Sequence, residues 1–118
     1  MIEIKIAIPT DDGEKVCSKM FGMAAFYLIY ECDSGKLKLI EKKVNPYAKE
    51  MPRGKTFYVI EVLRDCDVYV VSSIGARGRR RVLEKGITIY DVEKGIDISI
   101  VLKRIELELC GGHAVGRV

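Results

Sequence analysis

A valine-rich segment, a small-residue turn and a helical segment follow one another in the middle of the chain and limit its fold. Residues 67–73 are typical of a buried strand. Residues 75–78, Gly-Ala-Arg-Gly, turn the chain into a helix predicted for residues 79–85, and residues 87–91 are predicted to form the next strand. Two strands joined by one helix form a β-α-β unit, in which the strands are parallel and the crossover is right-handed. We therefore expect an α/β sheet.

The rest of the chain predicts further layers of the same domain. Residues 3–8 alternate polar and apolar side chains as a strand does, and residues 24–31 and 36–43 form a hairpin around Asp33-Ser34-Gly35. A helix is expected over residues 57–65. Residues 93–109 fit either a helix or, at their end, a strand, and their length without a turn signal favours a helix. The prediction is a three-layer α/β domain over residues 1–118, with a five-stranded mixed sheet flanked by helices.

Size and composition agree with one cytoplasmic domain. A chain of 118 residues buries roughly two-thirds of its unfolded surface, and 48% of its residues are hydrophobic. No secretory signal is recognisable, and no apolar run reaches the length of about 18 residues that a membrane span needs. The four cysteines are widely spaced, which in a cytoplasmic protein favours reduced thiols over a disulfide framework. They are Cys17, Cys32, Cys66 and Cys110.

Two segments carry soft metal ligands. Cys110-Gly111-Gly112-His113 places the only histidine three positions after a cysteine, so one short hairpin offers a thiolate and an imidazole. Cys17 and Met20 are three positions apart, and on a helical turn their sulfurs would share a face. The alternatives are a solvated tail and a Met20 side chain that packs into the sheet.

A third segment has the features of an anion-binding turn. Residues 72–75, which include Ser72, Ser73 and Gly75, lead into a helix. At the start of a helix, the free backbone amides and the helix dipole favour negative charge. A cluster of arginines extends from Arg77 to Arg81. Because loops after parallel strands meet at one edge of a sheet, residues 9–22 and 72–78 should lie together. A phosphate- or nucleic-acid-binding module is the alternative function, and an ordinary turn followed by a solvated basic face is the other possibility.

Catalysis is poorly supported by the residues present. Metal-dependent nuclease chemistry needs several carboxylates that converge on divalent ions, and residues 4–8 of the first strand contain none. Asp11 and Asp12 are expected to shape a turn instead. A Cys-His dyad would depend on His113, which follows two glycines. We therefore predict that the protein is not an enzyme.

Several segments resemble the dinitrogenase iron-molybdenum cofactor biosynthesis family, which includes NifX-type carriers and the C-terminal domain of NifB-type proteins. The similar segments are KIAIPTDDG at residues 5–13, CSKMFGMA at 17–24 and FYLIYE at 26–31. Asn45-Pro46, SSIG at 72–75, Gly86-Ile87 and the closing Cys-Gly-Gly-His follow in the family's order. Met20 and Tyr47 stand where members commonly carry histidine, which leaves His113 as the only imidazole.

The resemblance implies a ribonuclease-H-like fold and a non-catalytic protein that binds or carries an iron-sulfur or iron-molybdenum-type cluster. Its partners would be cofactor donor and acceptor proteins, with nucleic acid and membranes unlikely partners and a monomer or weak homodimer as the oligomeric state. The expected metal ligands are Cys110, His113 and Cys17. The expected cofactor-binding residues are Ser73, Gly75, Arg77 and Met20.

Overall fold

The computed structural model describes residues 4–48 and 55–110. Within these ranges strands and helices follow one another as an α/β domain. The elements are β1 (Lys5–Thr10), a 3-10 helix (Phe21–Met23), β2 (Phe26–Asp33), β3 (Lys36–Val44), α1 (Lys55–Val62), β4 (Val68–Val71), α2 (Ala76–Glu84), β5 (Thr88–Asp91) and α3 (Ile98–Glu108).

The five strands form one mixed sheet in the order β3-β2-β1-β4-β5. β1 pairs with β4 in parallel, and β4 pairs with β5 in parallel, which confirms the predicted β-α-β unit. β2 lies antiparallel to both β1 and β3, which confirms the predicted hairpin. The mixed five-stranded sheet expected from the sequence is therefore present.

Each face of the sheet has its own buried core, so the domain has three layers. In β1, Ala7 packs on the face that carries α1 and α2, whereas Ile6 and Ile8 pack on the face that carries α3. This alternation follows from the period of two along a strand. From the helices, Leu63 and Val82 fill the first core, and Val101, Ile105 and their neighbours fill the second.

Some boundaries differ from those predicted, and each difference has a local cause. β1 continues through Pro9 to Thr10, whose buried hydroxyl donates to the carbonyl of Lys15 (2.6 Å) and accepts from the amide of Gly13 (2.9 Å), so the turn starts later than predicted. α3 begins at Ile98 rather than at residue 93, because Gly95 has a φ of 71°, which an α-helix does not allow. α2 begins at Ala76, three residues before the predicted start, so Arg77 lies in its first turn.

The expectation of four reduced thiols is wrong. Cys32 and Cys110, 78 residues apart, form a disulfide with a Cα–Cα distance of 5.3 Å, and Cys17 and Cys66 are free and buried. The end of β2 and the end of α3 meet at the end of the sheet where β1 begins. The spacing of the cysteines along the sequence does not reveal this contact. Within the described ranges, no helix is long and apolar enough to cross a membrane.

Candidate functional site

The loops after β1 and β4 meet at the carboxyl ends of these parallel strands. The amide of Phe21 donates to the carbonyl of Ser73 (2.7 Å), and the hydroxyl of Ser72 donates to the carbonyl of Cys17 (2.5 Å). The predicted meeting of residues 9–22 with residues 72–78 is therefore confirmed. This edge is where open α/β sheets place their ligands.

Phe21 anchors the first of these loops in the core. Its ring stacks on Tyr69 with centroids 4.9 Å apart and lies 5.3 Å from the ring of Tyr27, whose hydroxyl donates to the carbonyl of Phe21 (2.6 Å). Phe21, Tyr27 and Tyr69 are almost completely buried. Because stacked aromatic side chains bury a large apolar area, this packing holds the neighbouring residues of the loop in place.

Asn45 holds the same loop from the other side. Its buried side-chain amide donates to the carbonyls of Gly22 and Ala24, both at 2.9 Å, and its side-chain oxygen accepts the amide of Tyr47 (2.9 Å). The sequence alone does not predict this role of Asn45 at the site. The available signal was an asparagine directly before a proline at the end of a strand, which is typical of a side chain that hydrogen-bonds to backbone.

A cleft of about 430 Å³ opens beside the anchored loop. One wall comes from the 3-10 helix region, with Met20 and Met23, and a second comes from the start of α1, with Phe57. The first turns of α2 form the third wall, with Arg77 and Arg81. The cleft therefore combines exposed apolar side chains, thioether sulfurs and cationic groups.

The structure brings together the four residues predicted to bind a cofactor. The hydroxyl of Ser73 donates to the sulfur of Met20 (3.2 Å), and a Cβ added at Gly75 would lie 3.5 Å from the terminal methyl of Met20. Arg77 follows two residues after Gly75 and lines the same cleft. Met20 is 42% exposed, so part of the residue is open to solvent.

The N-terminus of α2 borders this cleft, which Gly75 and Ala76 line. Gly75 is the N-cap and has no side chain to accept from the first amides, and the first turn carries no acidic residue. The positive end of the helix dipole is therefore available to an anion.

The predicted basic cluster is divided rather than continuous. Arg79 forms an ion pair with Asp91 (2.8 Å), and the guanidinium of Arg81 lies 5.0 Å from the ring centroid of Phe57. Arg77 and Arg80 have no acidic partner within residues 4–48 and 55–110. Arg80 lines a separate shallow depression with Leu83. Arg77 and Arg81 are thus the arginines that border the cleft.

Cys17 and Met20 do not share the face of a helical turn, because residues 18 and 19 form a bend between them and Cys17 is buried whereas Met20 is exposed. Cys17 is 4% exposed, its thiol donates to a carboxylate oxygen of Asp11 (3.6 Å), and its sulfur accepts the amide of Lys19 (3.3 Å). Burial raises the pKa of the Cys17 thiol above its usual range and outweighs the opposing effect of the Lys19 amide. The thiol is therefore protonated at neutral pH.

Asp11 and Asp12 shape the turn after β1, as predicted. Asp11 accepts the amide of Ala25 (2.8 Å), and Asp12 accepts the amides of Glu14 (2.8 Å) and Lys15 (3.0 Å). These backbone hydrogen bonds lower the pKa of Asp12. Both carboxylates shape the turn, as the sequence predicted.

Cys110 and Cys17 lie at opposite ends of the strands of the sheet. Its disulfide partner Cys32 donates its amide to the carbonyl of Ile4, just before β1 begins. The loop with Cys17 follows the other end of β1, and a strand of this length spans about 17 Å. The structure therefore does not bring these two predicted ligands together, and His113 lies outside the described residues. No group of three histidine, cysteine, aspartate or glutamate side chains suited to a metal ion occurs in the described part of the chain.

Comparison with solved structures gives relatives of the same fold at low identity. The apo form of the orange protein from Desulfovibrio gigas matches with a TM-score of 0.71 and 18% identity, over 86% of this chain and 85% of that one. A crystal structure of a protein called PH0822 matches with a TM-score of 0.69 and 21% identity, over 87% and 90%. An NMR structure of a Thermotoga protein of the DUF35 family, named as a candidate NifB protein, has a TM-score of 0.58 and 18% identity, over 89% of each chain.

No curated protein matches the chain. The family model described as "Dinitrogenase iron-molybdenum cofactor" matches residues 3–107, which include all the elements of the sheet and nearly all of α3. The match covers most of the chain and agrees with the resemblance found in its segments. The chain therefore belongs to the dinitrogenase iron-molybdenum cofactor family.

Proposed function

We propose that this protein binds and carries an anionic iron-sulfur or iron-molybdenum-type cluster during the assembly or transfer of a metallocofactor, without catalysing a reaction. The observation that carries the proposal is the cleft at the carboxyl edge of the sheet, where Met20, Ser73, Gly75 and Arg77 come together. Its cargo would come from a donor protein and pass to an acceptor protein.

The electrostatics of the cleft suit an anion. The N-terminus of α2 presents backbone amides and the positive end of the helix dipole, and Arg77 and Arg81 add two cations at the same border. Clusters built from iron, sulfide and thiolates carry net negative charge. Charge-assisted hydrogen bonds from Arg77 to such a cargo would be stronger than bonds between neutral groups.

The donor atoms of the cleft suit a cargo that arrives already assembled. The thioether sulfurs of Met20 and Met23 are soft ligands, and the two residues are 42% and 38% exposed. The hydroxyl of Ser73 donates to the sulfur of Met20 and orients it. A resident iron-sulfur cluster is usually held by four cysteine thiolates, and none of the described residues that line the cleft is a cysteine. Such contacts would hold a cluster and also release it.

The predicted metal ligands enter this proposal in different ways. Cys17 lies in the same loop as Met20, and it would ligate only when a metal displaces the proton that burial favours. Cys110 has no free thiol while it is bonded to Cys32. His113, three residues further on, is proposed as an additional ligand on the sequence pattern alone.

The strand order also supports a finer assignment of the fold. β2 runs against the other four strands, and the order β3-β2-β1-β4-β5 places β1 in the centre, as in ribonuclease-H-like domains. We include this fold class in the proposal, together with a cytoplasmic location and a monomeric or weakly dimeric state. A carrier that transfers its cargo to other proteins needs an accessible cleft. A monomer or a weakly associating dimer keeps the cleft accessible.

Anaerobic incubation with a preassembled, thiolate-ligated iron-sulfur cluster, followed by desalting, visible absorption and metal analysis, tests the proposal. Wild type should retain a coloured cluster. Arg77→Gln should bind about tenfold more weakly, since one charge-assisted hydrogen bond contributes about 1.5 kcal/mol or more. Arg80→Gln is the matched control, because Arg80 lies on the same helix outside the lining of the cleft, and it should bind like wild type.

A colourless, metal-free wild type would refute the carrier proposal. An equal loss of cluster in the Arg77 and Arg80 variants would show that general basic charge, and not the cleft, is responsible. Salt-sensitive binding of an oligonucleotide that both variants weaken equally would support the alternative phosphate- or nucleic-acid-binding function.

A further inference from the structure

The disulfide between Cys32 and Cys110 pairs two sulfurs that the cleft does not use, at the opposite edge of the sheet. We propose that these two cysteines form a redox-gated site for a soft metal ion of low coordination number, such as Cu(I). The site is closed while the disulfide is intact and open after reduction. It is separate from the cleft, and its test is independent of cluster binding there.

Backbone hydrogen bonds also hold the two cysteines in place, in addition to the bond between their sulfurs. Cys32 lies in β2, where it pairs with Leu37 of β3 and its amide donates to the carbonyl of Ile4 (3.0 Å). Cys110 follows α3, and its amide donates to the carbonyl of Ile105 (3.3 Å). The Cα–Cα distance is 5.3 Å. After reduction the same backbone contacts would keep both thiols within reach of one ion.

The surroundings of the pair favour a cation. Glu106 precedes Cys110 by about one helical turn, and its carboxylate accepts the amide of Leu37 (2.8 Å), the residue opposite Cys32. The C-terminal end of α3 adds the negative end of the helix dipole beside Cys110. Both features stabilise positive charge at this edge of the sheet.

The number of donors selects the kind of metal. Since no group of three suitable side chains occurs among the described residues, a tetrahedral zinc site is not favoured here. Two thiolates satisfy Cu(I), which prefers soft sulfur ligands and accepts two of them. The carboxylate of Glu106 then acts through its charge.

Opening of the site requires an external dithiol as the reductant. A dithiol supplies two electrons and two protons, the bond between the sulfurs of Cys32 and Cys110 breaks, and the dithiol becomes a disulfide. Cu(I) then forms two bonds to sulfur, and the two thiol protons pass to solvent. Cys17 and Cys66 are each 4% exposed, so they are poorly placed to exchange with the disulfide.

Anaerobic titration of Cu(I) against the coloured chelator bicinchoninate tests the site, using wild type reduced with dithiothreitol and desalted. Reduced wild type should withdraw one Cu(I) per chain from the chelator, and the oxidised protein should withdraw none. Cys32→Ser and Cys110→Ser should each lose this binding. Cys66→Ser is the control and should bind like wild type, because Cys66 lies in the other core.

A second measurement protects the test against variants that fail to fold. Circular dichroism should show that reduced wild type is native, and alkylation with iodoacetamide should modify two thiols in that state. If native, reduced wild type leaves Cu(I) with the chelator, or if the oxidised protein takes up the ion equally well, the proposed site does not exist. Neither result would affect cluster loading in the cleft, which Arg77→Gln tests separately.

Discussion

Reduction of the disulfide should lower the stability of the domain by a large and calculable amount. The bond between Cys32 and Cys110 closes a loop of 78 residues. In the chain-entropy description, such a cross-link removes about 15 cal/mol/K from the unfolded chain, or about 4.5 kcal/mol at 25 °C. The free energy of unfolding of a typical domain is roughly 5 to 15 kcal/mol, so this loss is a substantial part of it. The reduced protein should therefore fold but unfold more easily.

Urea unfolding followed by circular dichroism, with and without dithiothreitol, measures this effect. With a slope of about 2 kcal/mol per molar urea, the midpoint of wild type should fall by about 2 M on reduction. The double variant Cys32→Ser/Cys110→Ser is the matched control, because the reductant should leave its midpoint unchanged. Its midpoint should be close to that of reduced wild type.

A fall of less than about 0.5 M in the wild-type midpoint would refute the reasoning, since it corresponds to about 1 kcal/mol. An equal response of the double variant would show that the reductant acts elsewhere. Either result would mean that the cross-link does not constrain the unfolded chain as its loop length implies.

Three further predictions concern single residues at the carboxyl edge of the sheet. Asn45→Ala should lower the free energy of unfolding by about 2 to 4 kcal/mol in urea unfolding, because the carbonyls of Gly22 and Ala24 lose their donor; a loss under about 1 kcal/mol would contradict this. The lowered pKa of Asp12 adds stability that is present above the usual pKa of 3.8 and is lost as the pH falls through the folded pKa. In Asp12→Asn, the midpoint of thermal unfolding should therefore fall less steeply with decreasing pH on the acid side than in wild type. The same acid dependence in both proteins would exclude this role of Asp12. Cys17 should resist alkylation in the native protein at neutral pH and react after denaturation, because burial raises its pKa; mass spectrometry of the native protein would disprove this if Cys17 reacted like an exposed thiol.

The layers and strand directions could be predicted from the sequence because they depend on local patterns. The valine-rich β4 and the glycine turn after it indicated a parallel β-α-β unit, and Asp33-Ser34-Gly35 indicated the β2–β3 hairpin. The meeting of the β1 and β4 loops followed from the rule that parallel strands end at the same edge. The proximity of Met20 to Gly75 agrees with that rule.

The details of the site could not be predicted in the same way. Whether Cys17 and Met20 share a face depends on the local path of residues 17–20, which Phe21 and Asn45 set through the core. The arginines looked continuous along the chain, but Arg79 finds Asp91 and Arg81 finds Phe57, so their roles diverge.

By itself, the sequence determined the period of each strand and helix, the turns between them and the soft and cationic residues available for binding. The tertiary structure alone decided which of these meet. Cys110 pairs with Cys32 across 78 residues, and so lies far from Cys17, because the end of α3 packs at the amino edge of β1 rather than over the cleft. Local sterics and hydrophobic spacing act between near neighbours in the chain, whereas ligand sets and disulfides depend on how separate elements pack.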